Sequence, residues 1–430
     1  MRRLSLAWTA AAAVLLTLAL AAGSLWLGGF NPLSAGAAMM RGAFGSSSAI
    51  LSITMVRAVP LILPGLAVAL AFRAGVWNIG AEGQLYAGAV AAVWVGLIGG
   101  DLPWFVLVPL VLTSAGVAGA LWSAIPALMR VRLGVGEVIT TILMNFVGIY
   151  LAAFMVVGPL QEARGVFNQT DPIADAARLP LLVEGTRLHL GFLLAVMLGV
   201  GMWGTLRWTR IGFEIRAVGA APGAARVAGM ISPDRVVLIS FLASGAIAGL
   251  AGGVEVAGVT FALYEGLSPG WGYTAIAVAL LGGLHPIAVI GTGLLFGALE
   301  GGAAEMQRAA GIPSSWVTAV EALSFPAGKN KVVVQDLSGL FRSEDHRVRI
   351  RTNMNIYWDH AFFTVGAVTA PIEVTTLQPV AADFHYRGFS ELYRKGGRFG
   401  PHWFDYASVS MQSPWRPIVG AYTRYGSVLD

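Results

Sequence analysis

Long apolar runs separated by short polar stretches are the main pattern along the first three quarters of the chain. Because a helix needs about 20 apolar residues to cross a bilayer, the longer runs are predicted to be transmembrane helices. They cover Leu6–Leu27, Ala49–Phe72, Ala81–Gly99, Pro103–Ile125, Val138–Val157, His189–Leu206 and Val236–Val256. Two shorter runs, Ala275–Gly283 and Ile287–Leu299, follow, and a last run starts at Pro313. The pattern predicts an all-α polytopic membrane protein with about nine or ten transmembrane helices, some of them broken.

Glycines and polar residues interrupt the apolar pattern at two places. The first interruption, Phe72–Gln84, lies between two predicted spans, and the second is Leu280–Pro286. Glycine permits close approach of helices, whereas a polar side chain in a membrane needs a partner or water. Since broken helices in transporters tend to line the central pathway, we predict a translocation path near the middle of the membrane. The candidate path residues are Asn78, Glu82, Gln84 and Asn145.

These residues also have a structural interpretation. Asn78 fits the N-cap of the following helix, with Glu82 in the first turn, where the helix dipole favours an acid. Asn145 lies in an otherwise apolar span, where an amide is costly unless it faces a partner or a wet cavity. An interhelical hydrogen bond satisfies that amide as well as a water-filled path does. The sequence leaves both interpretations open.

The segment Arg207–Arg235 carries five arginines between two apolar runs. Arginine-rich loops lie on the cytoplasmic side of the membrane, so this segment is predicted to be cytoplasmic. Small residues recur across Ala217–Gly229 and predict a short helix that another protein approaches closely. The alternative is an ordinary positive-inside loop. The pair Arg2-Arg3 predicts a cytoplasmic N-terminus, and strict alternation then places Gln161–Arg187 outside.

Composition agrees with a membrane protein and marks a boundary. The chain is 56% hydrophobic and 12% charged, with 55 glycines, as expected for packed transmembrane helices. All three lysines and four of the six histidines lie beyond Leu323. So do 21 of the 51 charged residues (28 basic and 23 acidic), in about a quarter of the length. This shift predicts a transmembrane domain at 1–323 and a separate tail at 324–430.

Several strings resemble one family of membrane proteins. They are RAGVWNIGAEGQ, GEVITTILMN, GVFNQTDPIADAARLP, GFEIRAVGAAPGAARVAG and YTAIAVALLGGLHPIAV. From about Arg2 to Leu323, the chain resembles the permease subunits of bacterial ABC importers that handle branched-chain amino acids, ribose-type sugars and nucleosides. It is most similar to the nucleoside and simple-sugar permeases that work with lipoprotein receptors.

The resemblance implies a multi-pass subunit of the bacterial inner membrane. Its expected partners are a second permease subunit, in a homodimer or heterodimer, two cytoplasmic ATPases and an extracytoplasmic solute-binding receptor. Gly212–Gly229 would form the coupling helix that lies in a groove of the ATPase. Family members commonly carry Asn where this chain has Ala221, and often where it has Gly136. The coupling residues so implied are Gly212, Glu214, Arg216, Gly219, Ala225 and Gly229.

Several chemistries are excluded or not supported. The chain has no cysteine, so disulfides, thiol catalysis and cysteine-based zinc sites are excluded. Its one Gly-Lys pair, Gly328-Lys329, lacks the upstream glycine of a P-loop. We therefore expect no enzyme activity, metal or cofactor in this chain, no nucleic-acid partner, and ATP hydrolysis in a separate subunit.

The last quarter of the chain does not continue the apolar pattern. The final run, Ser314–Leu323, ends at Ser324–Lys329 with about half of the residues that a span needs. Alternation in Arg347–Arg351 predicts a soluble segment with β structure. The aromatic-rich end resembles the C-terminal end of secreted FG-GAP/ASPIC-UnbV repeat proteins. Two alternatives to a working permease stay open: a membrane-anchored scaffold or sensor whose tail is active, and a non-functional fusion of two reading frames.

Overall fold

The computed structural model describes residue 19 and residues 21–227, 232–312, 389–394 and 402–410 of the chain. The chain divides into two compact units, Met1–Val332 and Val333–Asp430. The described residues of the first unit are mainly helical. The predicted boundary at 323/324 stays a prediction, because it lies outside the described residues.

Eleven labelled helices follow a helical stretch at residues 21–27. They are α1 (Pro32–Phe44), α2 (Met55–Arg73), α3 (Ala81–Ile98), α4 (Trp104–Leu133), α5 (Glu137–Val157), α6 (Leu190–Trp208), α7 (Arg210–Ala220), α8 (Pro222–Val227), α9 (Pro233–Glu255), α10 (Trp271–Leu281) and α11 (Pro286–Ala310). One π-helical turn, Ala49–Thr54, runs into α2, and another, Val256–Thr260, continues α9.

Seven helices in the described part are long and apolar enough to cross a membrane: α3, α4, α5, α6, α11, and α2 and α9 with their π-helical turns. The protein is therefore a multi-pass membrane protein. The predicted run Leu6–Leu27 lies mostly outside the described residues, and the run from Pro313 lies wholly outside them. Helix α1, which packs against α11, was not predicted.

Two predicted spans differ from the structure. The run Ala275–Gly283 forms α10, whose 11 residues extend only about 16 Å, half of the hydrocarbon thickness. By itself it is too short to cross the membrane and is not among the seven long apolar helices of the described part. The total of about nine or ten transmembrane helices stays a prediction. The run Pro103–Ile125 is longer than predicted: α4 continues to Leu133 and carries Arg130 and Arg132 in its last turn, where the helix dipole favours cations.

Helix α2 lies at the centre of the bundle. In its apolar window 83% of the residues are buried, against 28% in α4, α5 and α6. A helix that is apolar all round packs in the interior, and α2 contacts α9, α10 and α11. Helix α9 also packs against α3 and α4 at glycine contacts, where a Cβ on Gly249 would collide with the carbonyl oxygen of Ala115. Small residues at this crossing allow the backbones to approach closely.

The connection between α5 and α6 lies against the segment that follows α9. The backbone N–H groups of Thr170, Ile173 and Leu179 donate hydrogen bonds to the carbonyl groups of Leu263, Phe261 and Ala257, each at 2.8 Å. These bonds give the long loop between α5 and α6 a fixed course at one end of the bundle. The described residues of the second unit form an antiparallel pair, β1 (Phe389–Arg394) and β2 (His402–Ser410), with a register shift between Ser390 and Glu391.

Candidate functional site

Asn78 joins the first broken segment to two helices. Its side chain is fully buried; Oδ1 accepts hydrogen bonds from the Gly80 N–H and from Nε2 of Gln84, both at 3.0 Å. Its Nδ2 donates to Oε1 of Gln84 at 3.1 Å and to Oγ of Ser244 in α9 at 2.9 Å. Helix α3 begins at Ala81 with Gly80 as its N-cap, so the N-cap interpretation of Asn78 is wrong.

Asn145 of α5 binds the start of α3. Its Oδ1 accepts a hydrogen bond from the Gly83 N–H, and its Nδ2 donates to the Ile79 carbonyl, both at 2.8 Å. The side chain is fully buried. Asn145 therefore makes the interhelical hydrogen bonds that were one of its two predicted roles.

Glu82 connects the N-termini of two helices, α3 and α10. It lies in the first turn of α3, and its Oε2 accepts a hydrogen bond from the Gly272 N–H at 2.6 Å, in the first turn of α10. The hydroxyl of Ser268 accepts from the N–H groups of Gly270 and Trp271 at the same helix start. A carboxylate at a helix N-terminus is stabilised by the helix dipole, so Glu82 holds α10 against α3.

We call Asn78, Glu82, Gln84 and Asn145 the amide–acid network. The structure brings these four predicted residues together, and each is at most 1% exposed. Their hydrogen bonds go to partners within this chain, which is what stable burial of polar groups in a bundle requires. This geometry explains how the first broken segment is held. A role in lining a solute path stays a prediction.

The predicted coupling segment forms two helices rather than one. The hydroxyl of Thr209 accepts a hydrogen bond from the Gly212 N–H and starts α7, and the backbone breaks at Ala221 (φ −158°, ψ 84°) before α8 begins at Pro222. Proline has no N–H to continue the first helix and fits the first position of the next. Gly229 lies outside the described residues.

Two glycines predicted to face the ATPase face this chain instead. A Cβ on Gly219 would collide with the Arg73 carbonyl oxygen, and one on Gly212 would collide with the Thr205 carbonyl oxygen. Ala225 is also buried. The small residues therefore serve close packing of α7 and α8 on the bundle, and the prediction that Gly219 allows close approach of another protein is wrong.

The other face of α7 is open in this chain. Phe213 is 57% exposed, and Arg210 and Ala220 are exposed on the same face. Glu214 lies between them, with its carboxylate 2.9 Å from Nε of Arg210. Of the predicted coupling residues, Glu214, whose side chain is 24% exposed, and Arg216 are both half-buried beside this outward face. The position of a residue around the helix determines which face it occupies. The amino-acid types alone did not show which face of α7 packs on the bundle.

The structure shows a second group of polar residues that the sequence analysis missed. Arg57 of α2 pairs with Glu300 of α11 at 3.8 Å. Glu255 of α9 lies close enough for its charge to interact with this pair and with Arg187. We call Arg57, Arg187, Glu255 and Glu300 the charge cluster. Ionisable residues within two apolar runs, Arg57 and Glu255, and directly after a third, Glu300, were the signal that could have found it.

His189 lies at the start of α6. Its Nδ1 accepts a hydrogen bond from the Gly191 N–H at 3.2 Å, while Nε2 is buried without a hydrogen-bond partner among the described residues. Burial lowers the pKa of His189 to about 4, and the charge of Arg187 lowers it further. The imidazole is therefore neutral at physiological pH.

Long apolar helices, a broken segment held by a buried network, and a helix pair that carries arginines are the features of a membrane transport permease. The family described as branched-chain amino acid transport system / permease component matches residues 50–322, and the chain belongs to this family. It is the transport subunit of an ABC transporter, in which ATP hydrolysis belongs to a separate subunit. No solved structure matches the chain.

The alignments with named relatives cover most of the length of each relative. The glucose ABC transporter permease protein TsgB13 of Haloferax volcanii is 40% identical over 336 residues, covering 75% of this chain and 88% of the relative. The guanosine ABC transporter permease protein NupP of Bacillus subtilis is 40% identical over 318 residues, covering 72% and 90%. The nucleoside ABC transporter permease protein NupB of Lactococcus lactis is 35% identical over 303 residues, covering 68% and 82%.

Proposed function

We propose that this chain is the permease subunit of an importer for nucleosides or simple sugars. The observation that carries the proposal is the similarity to permeases named for glucose, guanosine and nucleosides, at 35–40% identity over most of their length. These solutes share a hydroxyl-bearing sugar unit. The chain works with two ATPase subunits, a second permease subunit and an extracytoplasmic receptor.

The ATPase contact is assigned to the outward face of α7. Phe213 is the large apolar side chain at its centre, and Arg210 and Glu214 flank it. Large aromatic anchors surrounded by polar groups carry most of the binding energy of protein interfaces. The inward face of the same helix, at Gly212 and Gly219, lies on α6 and on the end of α2, so a push on Phe213 is transmitted directly to the bundle.

The arginine bias supports a cytoplasmic location for α7 and α8 and a cytoplasmic N-terminus in the inner membrane. On this orientation the loop between α5 and α6 is extracytoplasmic and is the surface available to the receptor. Near the start of this loop, Glu162 accepts hydrogen bonds from Phe167 and Gln169, which lower the pKa of its carboxyl group. The loop is thus held in one shape around an anionic side chain.

The proposed tail, 324–430, begins where the family match ends, at residue 322. The ending of the match supports a permease joined to an unrelated segment, and the likeness of that segment to FG-GAP/ASPIC-UnbV proteins stays a prediction. Sequencing the genomic locus tests the alternative of two fused reading frames. A frame break near codon 324 would support a fusion, and a continuous frame in an intact transporter operon would reject it.

Vesicles that contain the permease, its ATPase and its receptor test the transport function. We expect receptor-stimulated ATP hydrolysis with uptake of radiolabelled guanosine or glucose, and no uptake of leucine. Vesicles with a hydrolysis-deficient ATPase subunit serve as the control. ATP-driven uptake of leucine alone would reject the proposed solute class, and no receptor-stimulated hydrolysis at all would favour a scaffold.

A further inference from the structure

Arg57 and Glu300 lie deep in membrane-spanning helices but near the surface of the isolated bundle. Arg57 is the ninth of 25 residues in the span Ala49–Arg73, about 12 Å along it, and Glu300 is the fifteenth of 25 in α11. Their side chains are 45% and 20% exposed. An arginine facing lipid at this depth costs about 2.5–3.5 kcal/mol or more. This face of the bundle is therefore directed toward water or protein, not toward lipid.

The charge cluster retains unused hydrogen-bonding capacity. Glu255 is 5% exposed, and its carboxylate makes no hydrogen bond or ion pair with any residue in the described part of the chain. The indole N–H of Trp271 lies beside the carboxylate of Glu300 and supplies a donor there. Buried polar groups are normally paired, so an unpaired acceptor beside one ion pair points to a ligand.

The chemistry of the cluster matches a neutral ligand with several hydroxyl groups. The formal charges of two arginines and two glutamates sum to zero, so formal charge gives no preference for a cation or an anion. Carboxylates accept hydrogen bonds from hydroxyl groups, and guanidinium and indole groups donate them. Aromatic rings of Trp271 and Tyr264 lie beside Glu300 and Glu255. A small number of converging polar groups among aromatic side chains is typical of a small-molecule site.

We propose that Arg57, Glu255 and Glu300 bind the hydroxyl groups of the transported solute, with Trp271 beside them. The inference rests on the proposed function and deepens it: the group recognised is the sugar unit that nucleosides and simple sugars share. The amide–acid network, whose hydrogen bonds are satisfied within the chain, then supports the path, and the charge cluster lines it.

The first experiment tests whether water reaches the cluster. The chain has no cysteine, so Arg57→Cys introduces a single thiol into the complete transporter. We expect a water-soluble thiol reagent to label it at least about ten times faster than the control thiol of Leu121→Cys. Leu121 lies in the apolar helix α4, and its side chain is 65% exposed. Equal labelling rates in every nucleotide state would overturn the proposal, since Arg57 would then not face a water-filled path.

The second experiment tests recognition of hydroxyl groups. Uptake of guanosine and of its 2′,3′-dideoxy analogue is measured with saturating receptor for Glu255→Gln, Glu300→Gln and the control Glu305→Gln. Glu305 lies on the same helix and pairs with Arg308 at 2.7 Å. We expect the wild type and the control to prefer guanosine, and the two cluster variants to lose about tenfold of that preference.

The ratio of the two uptake rates does not depend on how much protein folds. Equal losses for both solutes would show a merely structural role and overturn the site. Unchanged ratios in both cluster variants would do the same. A wild-type transporter that takes up neither guanosine nor glucose would instead reject the proposed function, so the two failures are distinguishable.

Discussion

The two polar groups inside the bundle are built in opposite ways. In the amide–acid network, Asn78 and Asn145 have partners for both oxygen and nitrogen within the chain. In the charge cluster, Glu255 has none among the described residues, and Arg57 is almost half exposed. A polar group in a membrane helix is costly in either case. The difference teaches that polarity alone does not separate a structural network from the proposed solute site, and that the separating property is whether the polar groups are paired within the chain.

The two faces of α7 repeat this contrast at one end of the bundle. Gly219 faces the carbonyl oxygen of Arg73, and Phe213 faces away from the chain. The inward face is required for folding, and the outward face is available to a partner. Variants of the two faces should therefore fail in different assays.

The largest effect is expected for Gly219→Leu. The new side chain meets the backbone of α2, which cannot move aside, so we expect a loss of about 3 kcal/mol in stability and little assembled permease. Gly223→Ala, at an open position of α8, is the matched control. The measurement is the monodisperse fraction after detergent extraction. Normal yield of Gly219→Leu together with loss of ATPase binding would restore the original coupling prediction.

A smaller loss is expected for Asn78→Leu in the amide–acid network. Removing the amide leaves Ser244 and Gln84 without that partner, at a cost of about 2 kcal/mol. Thermal unfolding in detergent measures it, with Thr113→Val on the exposed side of α4 as the control. If Asn78→Leu keeps wild-type stability but loses solute uptake, Asn78 belongs to the path and the contrast with the charge cluster fails.

The outward face of α7 is tested by Phe213→Ala. We expect normal yield and about tenfold weaker binding of the ATPase, because a large aromatic anchor is lost. Binding is measured by titrating purified ATPase onto immobilised permease, with Ile98→Ala, an exposed apolar residue of α3, as the control. Equal affinities in both variants would contradict the docking face.

The smallest expected effect is a pH dependence from His189. Burial lowers the pKa of His189 from 6.5 to about 4 in the folded protein. The free energy of unfolding is therefore unaffected by this group above pH 6.5 and decreases as the pH falls from 6.5 toward 4. Between pH 8 and pH 6 the loss is about 1 kcal/mol. Unfolding of the wild type and of His189→Asn at the two pH values measures it. The same pH dependence in both proteins would show that another group is responsible.

Much of the helical framework was predictable from the sequence. The apolar run Ala49–Phe72 matches α2 together with its π-helical turn, and the runs Ala81–Gly99 and Val138–Val157 match α3 and α5, each to within one residue at either end. A membrane span requires such a continuous apolar stretch. The two interruptions were also found. Three features were not predicted: the length of α10, the presence of α1 and the break at Ala221. Turns and packing, rather than hydropathy, determine them.

The site residues were predicted only in part for the same reason. Asn78, Glu82, Gln84 and Asn145 were identified as a group by their polarity, but their hydrogen bonds could not be assigned from amino-acid types. Arg57, Glu255 and Glu300 are separated by up to 243 positions along the chain (300 minus 57). The packing of α2, α9 and α11 brings them together.

The sequence by itself determined that the chain crosses a membrane, where its helices lie, and that it belongs with solute permeases, because hydropathy and motif order are properties of the linear chain. Only the tertiary structure decided which polar groups are satisfied and which face of each helix is open. Those properties depend on distances between helices: the Arg57–Glu300 pair at 3.8 Å and the satisfied amide of Asn145 exist only after the bundle has packed.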